Sequence, residues 1–204
     1  MDEHAPLQQD LLNISVPSDH MTVQGMRNLI YLLYSKQYLI NRATGQETLR
    51  IDEEVIRQIQ ATQPKSLEAF SEALLDFKAQ GHVCGVGYDG ENITLSFPLR
   101  PETEVTNAFM VLTEHIVRFA WVSKLLRPET NPPELTRPDS EKFYMNAWLM
   151  RLGLQGIKNA QARHVILDRL NGYVSFRNEE AAEKIRNINR EIRKVRTDVF
   201  TEKH

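Results

Sequence analysis

His82 and Cys84 stand two residues apart in a stretch that alternates apolar and polar side chains, His82-Val83-Cys84-Gly85-Val86-Gly87-Tyr88. Residues i and i+2 of a strand share a face, so the imidazole and the thiol leave the backbone on the same side. A thiol activated by an imidazole is a nucleophile, but the imidazole needs an acid to fix its tautomer and orientation. No acid stands in that stretch. Cys84 therefore reads first as a buried strand cysteine. A small enzyme built on Cys84 or on His115 is only the third functional class open to the chain.

The same segment runs on as Gly85-Val86-Gly87-Tyr88-Asp89-Gly90, the spacing of a phosphate-cradling loop. In a dinucleotide fold that loop must pass from strand to helix, so that the helix N-terminus faces the pyrophosphate. Here a second alternating stretch follows, Asn92-Ile93-Thr94-Leu95-Ser96-Phe97. A kinase-type glycine hairpin tolerates the strand, yet the chain has neither a His-Arg-Asp catalytic loop nor an Asp-Phe-Gly motif. The glycines fit a twisted β-hairpin over 82–97, turning at Asp89-Gly90. His4, His20, His82, His115, His164 and His204 form no zinc-ligand spacing, and Glu114 and His115, adjacent on a helix, point about 100° apart. No metal or cofactor is expected. Tyr31, Tyr34 and Tyr38 make a helical stripe that could stack on bases; with only Arg27 on its side, packing at the core edge is the better account.

The C-terminal pattern is different in kind. Ala181, Ile185, Ile188, Ile192, Val195 and Val199 recur at alternating spacings of about four and three, which draws a narrow apolar seam along a helix with charged flanks. With Ile185, Ile192 and Val199 at heptad a positions, Ile188 and Val195 fall at d, Glu191 at g and Arg196 at the next e, an attractive pair across a parallel homodimer. The chain's own core could cover such a seam, and so could a partner helix.

The elements that must position these groups are legible from periodicity. Residues 1–20 read as a polar, mobile leader. Residues 21–126 form a helical unit with the hairpin. Helices are expected at about 21–41, 52–60 with Asp52 as N-cap and Ile51 and Ile56 as a staple, 66–80, and from Pro101 to about 126. Pro128, Pro132, Pro133 and Pro138 mark 127–139 as a linker. Helices at about 140–152 and 157–170 follow, and Asn178 caps the seam helix, so 140–204 is a second, basic helical unit. The fold class is α+β, predominantly helical.

At 204 residues, 41% hydrophobic and 25% charged, the composition is that of a globular protein. A single cysteine excludes an intramolecular disulfide and suits a reducing compartment. The absence of a signal pattern or a long apolar run points to the cytoplasm and away from membranes. Charge is uneven: residues 1–100 hold 13 acidic and 8 basic side chains, residues 151–204 hold 7 and 12. A basic end attracts phosphate or an acidic protein, or balances the chain's own acidic half.

Between those ends, Trp148-Leu149-Met150-Arg151-Leu152-Gly153, followed by Arg163, Leu167, Leu170, Gly172 and Phe176-Arg177, resembles a group of poorly characterised accessory proteins of bacterial conjugative elements and prophages. The resemblance covers 148–177 and, more faintly, Leu33-Tyr34-Ser35 to Gly45. It brings no catalytic residue. It implies an accessory protein that handles the element's DNA or blocks a host defence. The first expectation is thus a non-catalytic, anti-CRISPR-like inhibitor of a host nucleic-acid-binding effector. In it, Asp52, Glu53 and Glu54 would imitate phosphate, while Ile185, Ile188, Ile192 and Val195 build a homodimer. The second is a DNA-binding factor using Arg151, Lys158, Arg163, Arg169, Arg186, Arg190, Arg193, Lys194 and Arg196, with no recognition-helix signature to read bases.

Overall fold

The structure is a computed structural model and describes residues 10–126 and 138–201, with side chains up to Arg193. Its elements run β1 (Leu11–Pro17), α1 (Val23–Thr44), β2 (Arg50–Ile51), α2 (Glu53–Thr62), α3 (Leu67–Ala79), β3 (Val83–Cys84), β4 (Val86–Tyr88), β5 (Asn92–Pro98), α4 (Thr103–Val122), α5 (Glu141–Arg151), a short 3-10 turn (Ile157–Asn159), α6 (Ala160–Asp168) and α7 (Glu179–Thr201). The α+β, helix-dominated class is the one the sequence pattern implies.

Helix α1 is the axis. Thr22 caps its start by accepting the Gly25 amide at 3.0 Å, and Gly45, at φ +78°, ends it in the left-handed turn that glycine adopts without strain. Met26, Leu29, Ile30, Leu33 and Ile40 are buried on one side, Leu32 and Leu39 on another, and Tyr31 and Tyr34 are buried with Tyr38 half-buried beside them, so the tyrosine stripe packs at the core and its edge. A helix buried all round must find partners for its polar groups as well. Asn28, wholly buried, donates to the carbonyls of Ala120, Ser123 and Lys124 and accepts the Leu126 amide at 2.8 Å, closing the C-terminus of α4.

The leader expectation fails for its second half. Leu12, Ile14 and Val16 alternate with polar or exposed positions, and β1 pairs antiparallel with β5, Leu11 opposite Pro98 through Pro17 opposite Asn92. Residues 1–9 lie outside the described residues, as do 127–137 of the expected linker. The hairpin is also corrected. Its turn stands, with the Asp89 carboxylate accepting the Glu91 and Asn92 amides, and β4 pairs with β5. Val83–Cys84, however, leaves that sheet and pairs with β2. The break falls at Gly85, at φ +76°, where a Cβ would lie 2.4 Å from the Thr48 carbonyl oxygen. Of the glycine string, Gly85 serves this close approach. Helix α4 begins at Thr103, two residues beyond Pro101, and α6 is preceded by its 3-10 turn.

The two expected units share one core. Trp148, Leu149, Leu154 and Ile166 belong to the same apolar cluster as Leu29, Phe109 and Ile116, with α6 packed along α4 and touching α1. A buried polar tie between them is Glu141, on α5 and almost fully buried. Its carboxylate accepts Tyr38 Oη at 2.8 Å, Arg42 Nε at 3.0 Å and the Asn171 amide at 2.9 Å. Burial pushes this carboxyl up, but the Asn171 amide, Arg42 and Tyr38 together outweigh it and hold the pKa below its ordinary value of 4.5.

A group whose folded pKa is depressed stabilises the fold above its unfolded pKa and loses that contribution as pH falls through the folded one. Urea unfolding should thus show full stability from Glu141 above pH 4.5 and a decline in more acidic solution. Glu141→Gln should cost about 1–3 kcal/mol at neutral pH and flatten the acid limb. An unchanged acid limb in the variant would show that Glu141 does not tie the two halves.

Candidate functional site

The short β2–β3 ladder gathers the residues with the most chemistry. Ile51 and Val83 face the core, so Arg50, Asp52, His82 and Cys84 leave on the opposite side. Asp52 sits at the N-cap of α2 but makes no cap bond with its side chain. It lies instead 3.0 Å from His82 Nδ1, and Arg50 Nε is 3.8 Å from its other oxygen. The acid that the sequence could not supply to His82 comes from thirty residues upstream, across the strand pair.

Cys84 is exposed, which corrects the expectation of a buried thiol. It lines a cleft of about 420 Å³ with Gln37, Tyr38, Asn41, Glu47, Leu49, Arg50, Ile51 and Asp52. An exposed thiol therefore stands beside an oriented imidazole, but no described hydrogen bond joins Cys84 to His82. His115 is engaged elsewhere: its Nδ1 lies 3.0 Å from the Leu152 carbonyl oxygen, which only accepts, so that nitrogen carries the proton. Among the described residues no group of three His, Cys, Asp or Glu side chains is placed to hold a metal ion.

The acidic cluster carries its own counter-charges. Arg57 reaches Glu54 at 2.9 Å and Glu53 at 4.0 Å, while Asp52 faces His82 and Arg50. The basic set is dispersed. Arg163 donates to the carbonyls of Leu154 and Gly156, holding the loop before α6, and Arg169 lies over Gly45 at the end of α1. Arg151 and Lys158 are exposed on separate segments. Arg186 pairs with Glu179 and stacks over Tyr173 at 5.7 Å from the ring centre. The side chains of Lys194, Val195 and Arg196 lie outside the described residues. One feature gave no sequence signal: His20 stacks on the exposed ring of Trp121 at 4.7 Å, beside an apolar groove of about 280 Å³.

Helix α7 leaves a row of apolar side chains open. Asn178 caps it as expected, accepting the Ala181 amide at 3.0 Å, and Ala182 is buried at its base. From Glu183 to Arg193 every side chain is exposed. Ile185, Ile188 and Ile192 keep 40%, 41% and 49% of their surface in contact with solvent, so the chain's own core does not cover these three. Single exposed apolar residues are ordinary; these three, in heptad register, form one apolar row along the helix.

Comparisons with protein-family models, with curated proteins and with solved structures found no match. Among the described residues no helix is long and apolar enough to cross a membrane.

The seam's exposure has a direct consequence for stability within one chain. Ile188→Ser should change the urea unfolding free energy by less than about 0.5 kcal/mol at concentrations where the chain is monomeric. Leu29→Ala, in the fully buried face of α1, should cost about 2–5 kcal/mol. Equal losses in the two variants would mean that the seam packs on the core in solution. Cys84 should react stoichiometrically with a thiol reagent without denaturant; protection until unfolding would place it in the interior.

Proposed function

We propose that this protein works by binding, as a non-catalytic interaction protein whose C-terminal helix is its contact element. The observation that carries this is the exposed isoleucine seam of α7. Most of a helix's stability in a protein comes from packing its apolar face, and burying apolar surface gains about 25 cal/mol per Å². A helix laid along Ile185, Ile188 and Ile192 therefore stabilises α7 and ties this chain to what it binds. The resemblance to accessory proteins of conjugative elements and prophages suggests the setting: a protein or nucleoprotein effector of the bacterial host, blocked by contact. Imitation of phosphate by Asp52, Glu53 and Glu54 is the less favoured route, because Arg57 pairs with Glu53 and Glu54 and Arg50 lies near Asp52.

A second reading has one observation behind it. Arg186, Arg190 and Arg193, at i, i+4 and i+7, lie on the side of α7 away from the seam and are exposed. A polyanion could lie along that row, with binding that falls steeply as salt rises.

Affinity capture of the tagged full chain from bacterial lysate, with and without nuclease, separates the two. A stoichiometric protein that survives nuclease and is lost with Ile185→Asp/Ile192→Asp is the expected result. Nucleic acid recovered alone, and lost with nuclease or high salt, would transfer the function to the arginine row. Capture of nothing beyond background would overturn the binding role.

A further inference from the structure

Two guanidiniums from distant parts of the chain meet at the C-terminal end of α1. Arg100 stands between β5 and α4, and Arg169 caps the end of α6. From the point where a Cβ would project at Gly45, Arg169 Nη1 lies 2.8 Å away and Arg100 Nη2 3.2 Å away. The two nitrogens are therefore no more than about 6 Å apart, and like charges that close repel. Arg100 is half-buried and held in place, donating to the Thr44 carbonyl at 2.6 Å, which uses one of its several N–H donors. Among the described residues the Arg169 side chain has no hydrogen-bond acceptor, and neither guanidinium pairs with a carboxylate.

The helix end accounts for one of these cations. A helix C-terminus carries about half a negative charge, which draws a guanidinium, and Arg100 fills that role through Thr44. A second guanidinium exceeds it. Arg42, on the last turn of α1, brings no spare carboxylate, since its Nε is given to Glu141. We infer that Arg100 and Arg169 form an anion site that takes the terminal phosphate of a small phosphomonoester. An oxyanion accepting a charge-assisted bond of about 2.8 Å from each nitrogen spans the gap between them. A phosphomonoester approaches a dianion at neutral pH and so matches two guanidiniums, whereas a carboxylate brings a single charge.

The body of such a ligand has a place to lie. Gly45 borders a cleft of about 230 Å³ with Tyr38, Asn41, Arg42, Gln46 and Glu47. Tyr38 Oη and the Asn41 side chain are already bonded, to Glu141 and to Leu49. Gln46 Oε1 is buried with no hydrogen-bond partner and Glu47 is exposed, so both gain from a donor such as a ligand hydroxyl. Glu47 also disfavours a nucleic-acid backbone, whose next phosphate it would repel. Nothing in this site belongs to α7, so it stands or falls apart from the binding role proposed above.

Isothermal titration of the purified full chain with inorganic phosphate and with glycerol 1-phosphate, at low ionic strength and pH about 7.5, tests the site. Both should bind, the ester more tightly because its body reaches the cleft. Arg169→Gln and Arg100→Gln should each weaken binding about tenfold or more. Lys65→Gln, the same change of charge at an exposed lysine elsewhere, should alter it by less than about twofold. Arg169→Gln removes no hydrogen bond within the fold and should melt with the unaltered chain, so lost binding there is not lost structure. No binding through the millimolar range, or equal weakening in Lys65→Gln, would overturn the site. Inorganic phosphate bound as tightly as the ester would overturn the part given to the cleft. A single-stranded oligonucleotide that displaces the ester, binds more tightly and needs the same two arginines would overturn the assignment to a small ligand.

Discussion

The burial of α1 on every side is the constraint from which the rest of the structure follows. A helix with one apolar stripe needs one neighbour; α1, with Met26, Leu29, Ile30, Leu33 and Tyr31 all inside, needs a shell. The N-terminal elements cannot complete it. Helix α4 covers one side, and α6 reaches both α4 and α1 from beyond the proline-rich stretch. The polar groups on α1 then fix the arrangement, since each buried donor or acceptor left alone costs more than a bond gained. Asn28 determines where α4 ends, and Tyr38 with Arg42 determines where Glu141, and with it α5, must sit. Pro128, Pro132, Pro133 and Pro138 separate two lengths of chain but not two cores.

What the sequence disclosed and what it hid divide along the range of the interactions. Helix positions, the Asp89-Gly90 turn and the Asn178 cap are local, set within a few residues, and were readable. β1 was not, although Leu12, Ile14 and Val16 alternate as a strand should, because its stability comes from β5 some eighty residues away. The split of the hairpin at Gly85 depends on the Thr48 carbonyl, another distant partner. The Asp52–His82 pair is hidden for the same reason. No local pattern connects Asp52 to His82; only the β2–β3 register does.

That pair shows why residue types alone are weak evidence of catalysis. Thiol, imidazole, carboxylate and guanidinium all stand on one face of β2–β3, beside a cleft. Yet the thiol is not bonded to the imidazole, and the carboxylate is shared with Arg50. The simpler account is a short, two-residue ladder that needs side-chain ties. Across its exposed face, Asp52 and His82 supply a cross-strand pair, and Arg50 reaches the Gly81 carbonyl. On this view Cys84 is exposed because the opposite face, Ile51 and Val83, is the one the core takes.

Helix α7 stands outside this logic, and that sets it apart. Every other helix owes its place to α1 or to an element packed on it, whereas among the described residues α7 is tied to the body near its base, through buried Ala182 and the Arg186–Tyr173 stack. The core is complete without Ile185, Ile188 and Ile192. An apolar row that contributes nothing to its own fold is still a cost in water, and it raises the hazard of indiscriminate association. Heptad register is what limits that hazard. It restricts productive contact to helices able to offer knobs at matching intervals, and the charged e and g positions narrow the choice further. The chain's charge asymmetry fits the same division. Its acidic cluster at Asp52–Glu54 has Arg50 and Arg57 beside it, while the arginines at 190 and 193 are exposed on α7.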